Sequence, residues 1–180
     1  MKTLFTIMAL AILACSCNDP KSSTTKPGTK PDRDTLIHHI QILEQKLRSD
    51  QTINHQQGAE MVTAYLDFFN NYPDDAYASD YLYKAADISM NLNESATAID
   101  LFKRVIEFYP KHKKADFALF LQGFIYENQL KDMVHAKEIY TQVILQYPNT
   151  KIADDSKASI NNLGKSDEEL IREFEQKNRK

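Results

Sequence analysis

Glycine and proline are scarce in this sequence, with four and six occurrences among 180 residues. Their scarcity argues against a loop-rich β architecture and predicts a mainly helical chain. Phosphate-binding loops and dinucleotide-binding turns need several glycines within a few residues. The glycines here stand far apart, at Gly28, Gly58, Gly123 and Gly164. We therefore expect no nucleotide-dependent enzyme, and no other group of residues indicates catalysis.

Cysteine is nearly absent, and both copies, Cys15 and Cys17, lie at the start of the chain. The rest of the chain can therefore form neither an internal disulfide nor a thiolate metal site. The five histidines lack Cys, Asp or Glu at helical spacing on a buried face. We predict that the histidines, including His112 and His135, lie on the surface, and we expect no metal and no cofactor.

The chain also lacks a surplus of positive charge. Its formal net charge is −3, and Lys and Arg alternate with Asp and Glu everywhere after Asp32. Such a pattern leaves no basic face to follow a phosphate backbone, so we expect no nucleic-acid partner. A hydrophobic content of 42% and a charged content of 26% are ordinary for a globular protein of one domain.

Residues 1–14 have the composition of an export signal. Lys2 precedes an apolar run from residue 4 to residue 14, which is too short to span a bilayer as a mature helix. The run ends in Ile12-Leu13-Ala14-Cys15, which resembles the lipobox of bacterial lipoproteins. This resemblance implies acylation of Cys15, with Cys17 as the alternative. It also implies a protein of the bacterial envelope, anchored by lipid to a membrane, most plausibly the outer membrane with the domain facing the periplasm.

Residues 15–33 are then the lipidated N-terminus and a disordered tether, because the segment is rich in Pro, Ser, Thr and Lys and has no large apolar residue. Residues 34–49 follow as an amphipathic helix with an apolar stripe at spacings of four, three and four. Its members are Leu36, Ile40, Leu43 and Leu47. The stripe either packs on the domain behind it or joins copies of the chain into a homo-oligomer.

Three Tyr-Pro pairs mark an internal repeat, at Tyr72-Pro73, Tyr109-Pro110 and Tyr147-Pro148. The prolines are 37 (110 − 73) and 38 (148 − 110) residues apart. Eight residues before each proline stands an aromatic residue, and four before that a small or flexible apolar one. The aromatic residues are Tyr65, Phe102 and Tyr140, and the residues before them are Met61, Ala98 and Ala136. A period of this length indicates a stack of helical hairpins.

These positions resemble the tetratricopeptide repeat, in which a Trp-x₂-Leu-Gly-x₂-Tyr helix is followed by an Ala-x₃-Phe helix and a proline. The best copy consists of Leu119, Gly123, Tyr126, Ala136, Tyr140 and Pro148. The copy before it consists of Leu82, Ala86, Ala98, Phe102 and Pro110. The first copy, with Tyr65 and Pro73, retains only its second helix. Leu replaces Trp, while Gln122 and Ser89 stand where Leu and Tyr are usual.

The resemblance implies an all-α fold, an α-solenoid of about three antiparallel hairpins over residues 55–177, closed by a C-terminal capping helix. The periodicity and the turn residues predict eight helices. Their expected ranges are 34–49, 57–71, 76–91, 94–108, 113–128, 133–146, 150–163 and 167–177.

A signal, a tether and a tetratricopeptide array together resemble two families of envelope proteins. One is the outer-membrane-assembly lipoprotein of the barrel-insertion (Bam) machine, and the other is the periplasmic cell-division coordinator. The resemblance implies a scaffold for other envelope proteins, with outer-membrane protein assembly or envelope maintenance as the setting. The alternative is a structural envelope protein without a separate client, which self-associates through helix 34–49.

The first helix of each hairpin lines the inner curve of such arrays. Placing Gly123 at the family's small-residue position puts a row of phenylalanines on this face. We predict that the partner-binding residues are Phe117, Phe120, Phe124 and Asn128, together with Tyr83 and Asp87 of the preceding repeat. The competing interpretation is that another part of the chain, most plausibly helix 34–49, covers the phenylalanines.

Overall fold

The computed structural model describes residues 30–49 and 54–179, and the regular structure within these ranges is helical. The eight helices are α1 (Arg33–Ser49), α2 (His55–Asn71), α3 (Ala78–Asn91), α4 (Ser95–Phe108), α5 (Ala115–Asn128), α6 (Met133–Gln146), α7 (Lys151–Asn162) and α8 (Asp167–Asn178). Each helix end agrees with the predicted one to within two residues. The predicted signal, Cys15, Cys17 and most of the tether lie outside the described residues.

The Tyr-Pro pairs end the second helix of each hairpin. Tyr72, Tyr109 and Tyr147 are the C-cap residues of α2, α4 and α6, and the N–H of each bonds the carbonyl four residues earlier. The proline that follows cannot donate the next helical hydrogen bond, so the helix stops there. At the other end, the side chain of Asn54 caps α2 in a capping box.

From α1 to α7 each helix packs against the next one in the chain, and α5 also contacts α7. The result is three hairpins, α1–α2, α3–α4 and α5–α6, followed by α7. An all-α helical-repeat solenoid is therefore confirmed.

The expectation that the first copy has only a second helix is wrong, because α1 is its first helix. Leu36, Ile40 and Leu43 repeat the spacing of Leu119, Gly123 and Tyr126 in α5. The hydrogen bonds agree with this alignment. Tyr65 donates to Glu44 of α1 and Tyr140 donates to Glu127 of α5, both at 2.7 Å.

Small residues bring the two helices of a hairpin close together. Ala86, Ala98 and Ala136 have no exposed surface. The closest approach is at Gly123, where an added Cβ would lie 2.7 Å from the ring of Tyr140. The aromatic residue of the second helix thus fills the space that the missing side chain leaves on the first.

The hydroxyls of two Tyr-Pro tyrosines tie the end of a hairpin to the residue that precedes it. Tyr109 donates to the carbonyl oxygen of Pro73 at 2.5 Å, and Tyr72 donates to that of Pro31 at 2.6 Å. Each tyrosine therefore reaches the proline that precedes its own hairpin. The tyrosine that ends one unit also fixes the start of that unit.

The apolar stripe of α1 is used inside the chain. Ile40 and Leu43 are buried, and Leu36 and Leu47 pack against the same core. The carboxylate of Glu44 accepts a bond from the ammonium of Lys84 at 2.6 Å. This stripe is therefore not available to join copies of the chain, and the predicted route to a homo-oligomer is wrong.

The array is closed at its C-terminal end by α7, which lies against α6 and α5 and buries Ala153 and Ser156. A capping helix is therefore present, as predicted. None of the described side chains of the last helix, α8, is buried, and α8 does not pack along any other described helix.

Gly123→Ala should lower the free energy of unfolding. The helix-propensity gain of about 1 kcal/mol is outweighed by overpacking against a buried ring, which costs about 1–3 kcal/mol. The matched control is Gly58→Ala, whose Cβ would meet only the flexible end of Leu92, at 2.9 Å. That change should be neutral or stabilising by up to about 1 kcal/mol. Urea unfolding measures both, and equal effects would refute the close approach at Gly123.

Candidate functional site

The predicted binding residues lie on α3 and α5, the first helices of the second and third hairpins. Phe117 and Phe120 are half-buried, with their rings stacked 6.0 Å apart. Phe120 also lies 5.2 Å from the ring of Tyr140. These two phenylalanines are therefore partly core residues, and each keeps some exposed surface.

Phe124 and Asn128 form the exposed end of this face. Phe124 is 39% exposed, and Asn128 is fully on the surface. The Asn128 amide Nδ2 donates to the carbonyl oxygen of Phe124 at 3.1 Å, which orients the side chain along the helix. Its side-chain oxygen is then free to accept a hydrogen bond from a partner.

Tyr83 does not fit the prediction, because its ring is only 6% exposed. The ring stacks on His112 at 5.6 Å and meets the edge of Phe102 at 5.6 Å, while the ammonium of Lys114 lies 4.6 Å from its centroid. Burial, with the nearby carboxylate of Asp87, raises the pKa of Tyr83 to about 12. Tyr83 is thus a buried residue that packs beneath the surface, and it is not available to contact a partner.

Asp87 has the least satisfied carboxylate on this face. Burial raises its pKa, although Lys114 partly opposes the shift. No donor among the described residues bonds its carboxylate; only its backbone oxygen accepts a bond, from Asn91. A half-buried carboxylate without a protein donor can still accept a hydrogen bond from a ligand, and groups with a perturbed pKa concentrate at functional sites.

Asp80, one helical turn before Tyr83, differs from Asp87 because its carboxylate has both a hydrogen-bond donor and an ion-pair partner. It accepts from the Nε2–H of His112 at 3.1 Å and pairs with Lys113 at 3.3 Å. Partial burial raises the pKa of Asp80, but these two partners outweigh it and lower the pKa overall. The side chain of His112 is only 4% exposed, so its prediction as a surface histidine is wrong.

Helix α1 does not cover the phenylalanines. It packs along α2, and Glu44 connects it to Lys84 of α3, whereas it does not pack against α5. The interpretation that helix 34–49 hides this face is therefore wrong. Tyr140 of the same hairpin lies against Phe120 instead, and Phe120 stacks on Phe117.

The residues that define the repeat lie where hairpin packing needs them. Tyr65, Phe102 and Tyr140 are buried aromatic residues of α2, α4 and α6, and Ala98 and Ala136 lie beside them. Tyr126 is half-buried and stacks on His135 at 5.2 Å. The prolines Pro73, Pro110 and Pro148 follow the helix ends and are exposed.

Two departures from the repeat pattern lie inside the hairpins. Ser89 and Gln122 are buried, and the Ser89 hydroxyl and the Gln122 Nε2 have no hydrogen-bond partner. In the described part of the chain, no three metal-ligating side chains come together. None of the described helices is both long and apolar enough to cross a membrane.

Residues 80–112 and 117–150 each match the tetratricopeptide repeat family. The matched segments are the α3–α4 and α5–α6 hairpins. The fold and this match agree that α3–α6 form two tetratricopeptide-type hairpins. Such repeats generally mediate protein–protein interactions and are typically not enzymes. No curated protein matches the chain.

Sequence reasoning missed the residues that the loop before α5 contributes. His112 and Lys114 cover Tyr83, and Asp116 at the start of α5 adds to the negative potential there. A helical period cannot place loop residues on a face. The one available signal is the dense run of charge from Lys111 to Lys114, next to a helix that carries Asp80 and Asp87.

Asp87→Asn should raise the free energy of unfolding at pH 7 by a few tenths of a kcal/mol. Folding raises the pKa of Asp87, so its ionisation disfavours the folded state. The gain should vanish below about pH 3.8, where the carboxyl group is neutral in both states. Thermal unfolding across pH measures this difference.

Asp80→Asn is the control with the opposite sign. Folding lowers the pKa of Asp80, so the ionised carboxylate stabilises the folded state at pH values above the pKa that Asp80 has in the unfolded chain. This stabilisation is lost as the pH falls through the lower pKa that Asp80 has in the folded chain. The variant should therefore be destabilised at pH 7 and not at low pH. Destabilisation by Asp87→Asn at pH 7 would contradict a raised pKa of Asp87 in the folded chain.

Proposed function

We propose that this chain is a membrane-anchored adaptor of the bacterial envelope, which holds a segment of another envelope protein against α3 and α5. The observation that carries the proposal is that Asp87 and Phe124 occupy corresponding positions on successive first helices of the matched hairpins. Asp87 is a half-buried carboxylate without a donor among the described residues, and Phe124 is an exposed aromatic residue. A bound segment would bring a donor to Asp87 and would cover Phe124.

The chemistry of the face defines the segment that it would hold. Phe124 and the exposed surface of Phe117 and Phe120 offer apolar contact to a large aliphatic or aromatic side chain. Asp87 would accept hydrogen bonds from an Arg or Lys side chain, or from backbone N–H groups, of that segment. Asn128 adds a side-chain acceptor at the exposed end. The partner segment is thus apolar with a basic residue.

The anchor belongs to the same proposal and depends on the sequence. The lipobox-like run that ends at Cys15 supports acylation there, and two or more acyl chains would hold the domain stably at a membrane. Outer-membrane protein assembly or envelope maintenance is the proposed setting. The alternative of self-association through helix 34–49 lacks a surface, because Ile40 and Leu43 are buried in the hairpin stack.

Cys15→Ala should abolish incorporation of labelled palmitate and move the protein from the membrane fraction to the soluble envelope fraction. Cys17→Ala should leave both measurements unchanged. The reverse result would transfer the anchor to Cys17. Retention of label and of membrane association in both variants would contradict a cysteine-linked lipid.

A photo-crosslinking residue at position 124 should capture a partner in native envelopes. Position 42 is the matched control, since Ile42 is 51% exposed on another helix and lies outside the proposed face. Phe124→Asp should weaken co-purification of the captured partner on the order of tenfold or more, with unchanged helicity. Equal capture from both positions, or full binding by Phe124→Asp, would contradict this face as the binding site.

A further inference from the structure

A cavity of about 250 Å³ lies between the second and third hairpins. It is bounded by α4 and α6, the second helices of these hairpins, and by α5. Its lining consists of three aliphatic side chains and five polar ones: Ile106, Leu119 and Ile139, with Lys103, Glu107, Gln122, Gln142 and Gln146. None of these residues is among those proposed above to hold a partner segment.

Gln122 is a wall residue of this cavity and carries an unsatisfied donor. The side chain is 5% exposed, and its Nε2 has no hydrogen-bond partner. Leucine is usual at this position of the repeat, so packing alone does not require an amide here. The terminal torsion of a glutamine side chain is soft, so the amide can turn its N–H₂ group toward an acceptor in the cavity. A bound acceptor would remove the cost of the unpaired donor.

The preceding junction, between the first and second hairpins, shows how the same space is filled without a ligand. By the repeat positions, the chain places Phe69, Ala85 and Phe108 there in place of Ile106, Gln122 and Gln146. Ala85 is fully buried and brings no polar group. The rings of Phe69 and Phe108 meet edge to face at 5.7 Å. An aromatic pair thus packs that junction, whereas an isoleucine and two glutamines line a cavity at the next one.

The charges and amides of the lining favour a neutral ligand. Lys103 and Glu107 are exposed and lie 3.7 Å apart as an ion pair, so each already has a partner of opposite charge. Gln142 and Gln146 are exposed, and each offers both a donor and an acceptor at the rim. Gln122 offers its donor inside the cavity. Amide groups that surround an apolar space match a ligand with a flat apolar part and a neutral polar end.

We propose that this cavity binds a small neutral molecule with a planar amide group, whose carbonyl oxygen accepts a hydrogen bond from the Nε2 of Gln122. The flat remainder of the ligand lies against Ile106 and Ile139, in the space that an aromatic pair occupies at the preceding junction. The N–H of the ligand donates to the side-chain oxygen of Gln142 or Gln146 at the rim. This site does not depend on the proposed partner function.

Titration of benzamide into residues 31–180 tests the proposal, since these residues form one compact unit with its own core. Benzamide joins a phenyl ring to a carboxamide, and a ligand of this size should bind with a Kd on the order of 1 mM. Backbone signals of the cavity residues should shift in ¹H–¹⁵N NMR spectra. Absence of shifts at these residues would show that the cavity holds only water and would overturn the proposal.

Two further probes define the ligand. Benzoate has the shape of benzamide but carries a charge that would have to be desolvated, so it should bind at least about tenfold more weakly. Equal binding of benzoate would contradict a site for a neutral amide. N-acetylasparagine amide carries its carboxamide on a peptide-like backbone. Tighter binding of this probe than of benzamide would assign the amide to a protein side chain and would overturn the small-molecule ligand.

Two variants test the geometry of the site. Gln122→Leu removes the donor and keeps the volume, so it should weaken benzamide binding on the order of tenfold and raise the urea midpoint of unfolding. Gln146→Phe copies Phe108 of the preceding junction and should abolish binding by filling the cavity. The matched control is Gln45→Leu on the exposed side of α1, which should leave binding unchanged. Undiminished binding by both cavity variants would overturn the proposal.

Discussion

The distance between the two helices of a hairpin determines how the rest of the array is built. At Gly123 that distance is set by a missing side chain and the ring of Tyr140. The approach brings the hydroxyl of Tyr140 within 2.7 Å of Glu127, so the carboxylate and the phenol satisfy each other. The middle hairpin has Phe102 and Met90 at the corresponding positions, so both polar groups are absent together. This matching leaves neither group buried alone, which would cost about 1–3 kcal/mol.

Much of the fold follows from local chemistry and could be read from the sequence. The ends of α2, α4 and α6 were predictable because a proline follows each of them. Proline lacks the N–H that would continue the helix, so the helix ends there wherever the rest of the chain lies. The role of α1 was missed because Ile40 stands where the repeat has a small residue. The spacing of Leu36, Ile40 and Leu43 does carry the signal. The exposure of α8 was not predictable, because periodicity identifies an apolar side of a helix and not what that side contacts.

The candidate site was predictable in part, for the same reason. Helical spacing placed Asp87 and Phe124 on the surface of successive first helices. It placed Tyr83 there too, although its ring is covered by His112 and Lys114 from the loop that follows α4. Loop side chains have no period, so their contacts emerge only from the fold. Whether Asp87 finds a donor likewise depends on the side chains that the loop brings, and Lys113 pairs with Asp80.

The proposed anchor and the proposed partner face lie in different parts of the chain, and this separation has a physical consequence. The chain enters the stack at Arg33, whereas the proposed partner face lies on α3 and α5. A segment bound to α3 and α5 would therefore leave α1 and the residues before it uncovered. Binding of the partner and attachment to the membrane would then be separate equilibria, so a change of Phe124 should weaken the first and leave the second intact.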